Sequence, residues 1–215
     1  MASSVQELIS TVRTTAPLSL DGPVNSLAQR LSPGAAVEWV PIRPSELAQP
    51  QECFYNVKAM VERSGGELVY GWAIWEWPQV FIEAEHHAVW ELDGHLVDVT
   101  PHEIVGDRVA FVRDPLATFD WSHATQRENV KVPLTDSPAV SNYLAATDAM
   151  RELMREGADG RTIRLDPMAV EDLVIRVTRA KLGVFEALAS KTSPNAPCVC
   201  GSTVKFKRCC AGLFA

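Results

Sequence analysis

The sequence has no long apolar run, no surplus of basic charge, and almost no cysteine outside its last stretch. Nearly half of its 215 residues are apolar, yet no uninterrupted run approaches the ~18 residues that a membrane-spanning helix needs. A bilayer-embedded role is therefore not expected. The opening Met1-Ala2-Ser3-Ser4-Val5-Gln6-Glu7-Leu8 carries neither a basic start nor an apolar stretch, so a secretory signal is not expected either. Lys and Arg number 20 against 27 Asp and Glu, a formal charge of −7, which argues against nucleic acid bound over the whole surface. No internal repeat or low-complexity segment stands out. A chain of this length holds one ordinary domain with appendages, or two small ones, and can bury a sizeable core.

The five cysteines are unevenly placed. Four lie in the last eighteen residues, as Cys198-x-Cys200 and Cys209-Cys210, and Cys53 stands alone in the body. A tetrahedral Zn2+ takes four thiolates at ~2.3 Å, and two short pairs with a small loop between them can wrap one ion. Gly201 suits the tight turn after Cys200. Lys205, Lys207 and Arg208 offset the negative charge of four thiolates, and Phe206 is placed to cover the site. The other readings are a tail of reduced thiols or two disulfides. Vicinal and one-apart cysteines make poor disulfide partners, and bridges between the pairs would strain so short a loop. Cysteines grouped as metal ligands fit a reducing compartment, so a cytoplasmic location is expected.

Asn195-Ala196-Pro197-Cys198-Val199-Cys200-Gly201-Ser202, followed by Lys205-Phe206-Lys207-Arg208-Cys209-Cys210, resembles the SEC-C motif. That motif closes the motor ATPase of bacterial protein secretion and many otherwise unrelated bacterial proteins. The likeness covers about sixteen residues and includes all four ligands; Thr203 departs from the glycine common at its position. It implies a docking module, which in its better-known setting binds a chaperone or the ribosome, and hence a protein partner through the tail. The basic spacer and Lys191 also make this end positive on an acidic body. Attachment to something anionic and charge balance at the zinc site are both open readings.

Four segments are expected: a helical start over 1–35, an α+β core over 36–132, a helical segment over 133–192 and the zinc knuckle over 193–215. Ser4 and Glu7 suit the N-terminus of a helix over Val5–Arg13, and Val24–Leu31 suits a second. Glu38-Trp39-Val40 reads as a short strand. Cys53–Arg63 reads as a helix closed by Ser64-Gly65-Gly66. Strands are expected over Glu67–Trp77, Val80–Leu92, His95–Thr100 and Arg108–Arg113, and helices over Ala139–Glu156 and Pro167–Ser190. The fold class is α+β, with a helix packed on an antiparallel sheet.

Asp93-Gly94 is a two-residue hairpin signal. It sets Leu92 opposite His95, Glu91 opposite Leu96, Trp90 opposite Val97 and Val89 opposite Asp98. His87 then shares a face with Asp98, at the diagonal distance of about 7–8 Å that side chains can span. His86 lies on the other face with Ala88, Trp90, Val97 and Val99 and reads as core. Cys53 starts a helix, a position that favours a thiolate, as a nearby imidazole also does. A thiol, an imidazole base and a carboxylate that holds its tautomer form a nucleophilic triad.

The order Cys53 on a helix, then His87-Ala88-Val89-Trp90 and Asp98-Val99-Thr100-Pro101 on successive strands, resembles the papain-like superfamily and its transglutaminase-like branch. The resemblance covers roughly Cys53 to Thr100, with Trp90 one residue later than in the familiar segment and a short hairpin between the two motifs. It implies acyl transfer at a carboxamide or peptide bond by Cys53, His87 and Asp98, and a glutamine at 49 or 51 aiding the oxyanion.

Other readings stand beside this one. Cys53 could be a small buried hydrophobe, leaving a noncatalytic adaptor whose core binds one partner while the tail docks on another. Alternation also puts Glu83, Glu85 and His87 on one strand face, with Asp98 beside them, as a second, catalytic metal site would need. Trp72, Trp75, Trp77 and Trp90 read as sheet packing, or else as the lining of an aromatic pocket.

Overall fold

A computed structural model describes residues 14–102, 106–159, 162–202 and 204–213. The helix expected over Val5–Arg13 lies outside the described residues. Among these, the α-helices are α1 (Pro23–Leu31), α2 (Cys53–Ser64), α3 (Pro138–Glu156) and α4 (Pro167–Ala189). The strands are β1 (Val37–Pro41), β2 (Glu67–Trp77), β3 (Phe81–Leu92), β4 (His95–Val97), β5 (Arg108–Arg113) and β6 (Val130–Pro133), with a small pair β7 (Ala158–Asp159) and β8 (Thr162–Ile163) between α3 and α4. The architecture is mixed α and β, with an antiparallel sheet.

Local chemistry sets the boundaries. Three helices, α1, α3 and α4, have proline in their first turn, where a missing N–H costs nothing and the fixed φ already suits a helix. Asp166 caps α4 by accepting from the Met168 N–H at 3.0 Å. Helix α2 stops at Gly65 and Gly66, whose φ angles are 73° and 81°. At Gly66 glycine is required twice over, because an added Cβ would stand 2.3 Å from the Glu91 carbonyl oxygen.

The described residues form two compact units. The first runs from Thr14 to Glu76 and from Ile82 to Val132, and holds α1, α2 and most of the large sheet. Strand order is β1-β5-β2-β3-β4, with β6 pairing on β3. Asp93 and Gly94 both have positive φ, 51° and 78°, as the expected hairpin turn demands. The register follows: Trp90 with Val97, Glu91 with Leu96, Leu92 with His95.

The expected third strand ends early, however. Pairing stops at Val97, and Asp98 leaves β3 to bridge Ile42 in parallel. Its N–H donates to the Pro41 carbonyl at 2.9 Å, and its carbonyl accepts from the Arg43 N–H at 2.8 Å. This contact ties the β4 edge to the end of β1 and curls the sheet into a near-barrel. Val40, Ala73, Trp75, Val89, Leu96 and Phe111 pack together on its inner face. The opposite face of the hairpin carries Ala88 and Val99, which pack under Cys53, Phe54 and Val57 of α2. Trp72, Trp75 and Trp77 are buried, whereas Trp90 is only partly covered and donates from Nε1 to the Gly65 carbonyl at 2.9 Å.

The second unit joins residues 77–81, the tip of the β2–β3 hairpin, to the described part of 133–215. Helices α3 and α4 pack on each other. Trp77, Val80 and Phe81 are buried with Val140, Phe185 and Val199, each large side chain contributing roughly 1.5–3 kcal/mol by leaving water. Trp77 also donates from Nε1 to the Val199 carbonyl at 3.0 Å.

Candidate active site and metal centre

The tail is a small knuckle built on backbone bonds. Pro197 and Lys205 form an antiparallel bridge, the Cys198 N–H donates to the Val204 carbonyl at 2.8 Å, and the Gly201 N–H closes a turn on the Cys198 carbonyl at 3.1 Å. Gly201 has φ 81°, the conformation expected of it. A short 3-10 helix, Phe206–Arg208, then carries the chain to Cys209 and Cys210. Phe206 is buried in one cluster with Cys198 and Cys210, while Lys205, Lys207 and Arg208 are exposed.

All four thiol sulfurs lie within 4.8 Å of one another. Cys200 to Cys209 and Cys209 to Cys210 are both 3.6 Å. Ligands at ~2.3 Å from a tetrahedral zinc stand roughly 3.8 Å apart, whereas a disulfide needs ~2.05 Å. All four cysteines are free of disulfides. The sulfurs therefore fit a metal ion and exclude the disulfide reading. Burial pushes the Cys198 thiol up to about 11 and raises Cys210 as well. Burial would raise Cys200 too, but hydrogen bonds from Ser202 and the neighbouring cysteines hold it lower; a metal ion takes its cysteine ligands as thiolates.

The sheet unit holds a second cluster. Cys53 is the first residue of α2, as expected, and its side chain is only 3% exposed. His87 and Asp98 are both buried, and the His87 Nε2 lies 2.9 Å from the Asp98 Oδ2. The expected pair is thus brought together, though by the sheet closure that fixes Asp98 and not by continued strand pairing. Burial alone would make His87 harder to protonate. The Asp98 carboxylate outweighs it, with a further contribution from Cys53, and holds His87 well above its ordinary value of 6.5. Burial would likewise raise Asp98, but His87 and His102 hold it below the usual carboxylate range. Cys53 thus interacts electrostatically with His87, yet no hydrogen bond of normal geometry joins them, and the His87 Nδ1 is buried without a partner.

His86 is separate from this chemistry. Its ring packs at a tilt against Phe54, with centroids 4.7 Å apart; it donates from Nε2 to the Ala117 carbonyl at 2.6 Å and accepts the Arg127 N–H on Nδ1 at 2.9 Å. Two backbone bonds fix its neutral form, and burial lowers its affinity for a proton further. The assignment of His86 to packing holds.

Two sequence expectations change. The carboxylates of Glu83 and Glu85 do not gather with His87 and Asp98: Glu83 accepts from Asn129 at 2.8 Å, and Glu85 accepts from the Trp75 indole at 2.6 Å. In their place the sheet assembles His87, Asp98 and His102, whose ligand-type atoms lie within 4.8 Å. Both glutamines are exposed, whereas His87 and Asp98 are buried. Gln49 donates its side-chain amide to the Leu47 carbonyl at 3.4 Å, and Gln51 is exposed with φ 64°.

Two residues were missed altogether. His102 donates to the same Asp98 oxygen at 2.7 Å. Asn56, buried in the first turn of α2, accepts from the Gln49 N–H at 2.9 Å and donates to the Gln49 carbonyl at 2.8 Å and the Thr100 hydroxyl at 3.2 Å. It therefore ties the start of the Cys53 helix to the segment that follows Asp98. A polar residue one turn after Cys53 was the available signal for Asn56; for His102 it was a histidine four residues beyond Asp98.

Among the described residues, no helix is long and apolar enough to cross a membrane. Comparison with curated proteins and with solved structures finds no match. Residues 195–212 match the family model of the SEC-C motif, so the tail carries that motif, with its four cysteines set as the ligands of a metal ion.

Proposed function

We propose that the protein is a zinc-binding cysteine amidase or acyltransferase, whose SEC-C tail docks it on a protein partner in a reducing, cytoplasmic setting. The observation that carries the catalytic half is the unpartnered, buried Nδ1 of His87, whose other nitrogen is held by Asp98 and whose charge responds to Cys53. A nitrogen fixed in this way is poised to exchange a proton with the thiol.

In the proposed reaction the proton of the Cys53 thiol already rests on Nδ1 of His87, and the sulfur attacks the carbonyl carbon of a carboxamide or peptide as the thiolate. The tetrahedral intermediate collapses, the C–N bond breaks, and Nδ1 returns that proton to the leaving nitrogen. The resulting thioester is opened by water, giving hydrolysis, or by an amine, giving transfer. In either case His87 takes the incoming proton. Asp98 keeps Nε2–H oriented throughout, the role of the third member in such triads. The start of α2 suits the oxyanion, since a helix leaves its first N–H groups without intrahelical acceptors. The zinc knuckle takes no part in these steps; its ligands are all cysteine, which is the pattern of closed structural sites.

A second reading has its own support. Cys53 is buried among Phe54, Val57, Ala88 and Val99, as a packing cysteine would be, and the core would then be a noncatalytic adaptor. Alkylation of the zinc-loaded chain by iodoacetamide, read at the Cys53 peptide by mass spectrometry, separates the two. The enzyme reading expects reaction near pH 7 faster than that of an unfolded reference thiol, and at least tenfold slowing in His87→Ala, the lower range for a lost acid–base partner. Slow reaction, unchanged by His87→Ala, would leave the adaptor.

A further inference from the structure

Asp98 is held by more partners than a simple histidine–aspartate pair provides. Its Oδ2 accepts from His87 at 2.9 Å and from His102 at 2.7 Å, and its Oδ1 accepts from the Thr100 N–H at 2.9 Å. A carboxylate gripped by His87 and Thr100 alone keeps a soft torsion about its last bond. A second imidazole on the same oxygen, brought back by the turn of the chain four residues further on, removes that freedom. His102 is itself braced: its ring lies 5.1 Å from the Trp75 ring, and the Trp75 indole is tied to Glu85 at 2.6 Å. Its side chain is 14% exposed, against 1% for His87 and 0% for Asp98. The histidine nearest to solvent is thus the one farthest along the chain of contacts from Cys53.

We propose that His102 is a positioning residue for the acid–base step, acting through Asp98 to hold His87 with its Nδ1 turned to Cys53. This rests on the Cys53–His87–Asp98 reading. It gives the site four members, Cys53, His87, Asp98 and His102, of which only the first two meet the reacting atoms.

Two substitutions in the full-length, zinc-loaded chain divide a positioning role from a packing role. His102→Gln keeps an N–H donor for Asp98 but loses the ring on Trp75. His102→Phe keeps a ring on Trp75 and loses the donor. The readout is the rate of Cys53 alkylation by iodoacetamide across pH, beside wild type and His87→Ala. The proposal expects His102→Phe to slow the reaction about tenfold, the rate equivalent of one charge-assisted hydrogen bond, and His102→Gln to stay within about threefold of wild type by the same reckoning. If Phe reacts like wild type, or if Gln is the impaired variant, His102 only packs and the inference is overturned, while slowing by His87→Ala alone leaves the triad intact. If neither His87→Ala nor His102→Phe alters the profile, the underlying reading fails with it.

Discussion

Replacing Asp98 by asparagine changes little in shape and much in chemistry. Three donors converge on this carboxylate, two from imidazoles and one from the backbone of Thr100, and the side chain is fully buried. An asparagine amide has one acceptor oxygen and one NH2. Turned one way, its NH2 meets the Thr100 N–H; turned the other, it meets both histidines. At least one donor loses its acceptor, at about 1.5–3 kcal/mol for a buried, charge-assisted bond. The imidazolium of His87 also loses its counter-charge, and breaking a buried ion pair from one side typically costs about 3–5 kcal/mol. Because His87 can shed its proton and relieve part of that penalty, the two costs overlap, and we expect Asp98→Asn to destabilise the sheet unit by about 3–5 kcal/mol.

Equilibrium urea unfolding followed by tryptophan fluorescence measures this, since Trp72 and Trp75 are buried in that unit. The sign of the pH dependence gives a second check. Asp98 is depressed in the fold, so its contribution is present above an unfolded value of about 3.9 and is lost as pH falls toward the folded value. His87 is raised, so its contribution is full below about 6.5 and drains away as pH climbs through the folded value. Wild-type stability from this pair should be greatest between those limits, and Asp98→Asn should flatten both flanks. An unchanged urea midpoint, or an unchanged pH profile in the variant, would refute the ion-pair account.

Other consequences are simpler to state. Metal analysis should find one zinc per chain, and Cys209→Ser, which alters one of the less buried ligands, should lose the metal on dialysis against a chelator; full retention would contradict four-cysteine ligation. A second metal per chain would instead point to His87, Asp98 and His102 as ligands. Gly66→Ala should destabilise the sheet unit by at least about 1–3 kcal/mol, the usual cost of a strained backbone position, because a Cβ there meets the Glu91 carbonyl at 2.3 Å and the Trp90 indole nitrogen at 2.8 Å. A urea midpoint equal to wild type would show that the α2–β2 turn relaxes freely.

What could be read in the sequence follows from the range of each interaction. The Asp93-Gly94 turn dictates its register over the next few residues, so the pairing of Trp90, Glu91 and Leu92 was legible in advance. The cysteine spacing likewise carries its own geometry. Cys53 at the start of α2 came from the helical pattern over Cys53–Arg63 and its closure by Ser64-Gly65-Gly66. The closure of the sheet was not legible, because the Ile42–Asp98 bridge joins residues far apart in the chain through backbone atoms that any side chain would permit. His102 was hidden for the same reason: its place on Asp98 depends on how the chain turns after Val99. The expected metal set of Glu83 and Glu85 failed because alternation assigns a face but not a partner, and Asn129 and Trp75 took those carboxylates.

The hairpin tip at 77–81 has a consequence for how the molecule is made. Trp77 and its hydrogen-bond acceptor Val199 are 122 residues apart, so a ribosome releases the indole long before the knuckle that covers it. Trp77, Val80 and Phe81 must wait as an apolar, sticky segment while α3, α4 and the cysteines are translated. The last of their buried neighbours, among them Cys198, Val199, Phe206 and Cys210, are made only after α4.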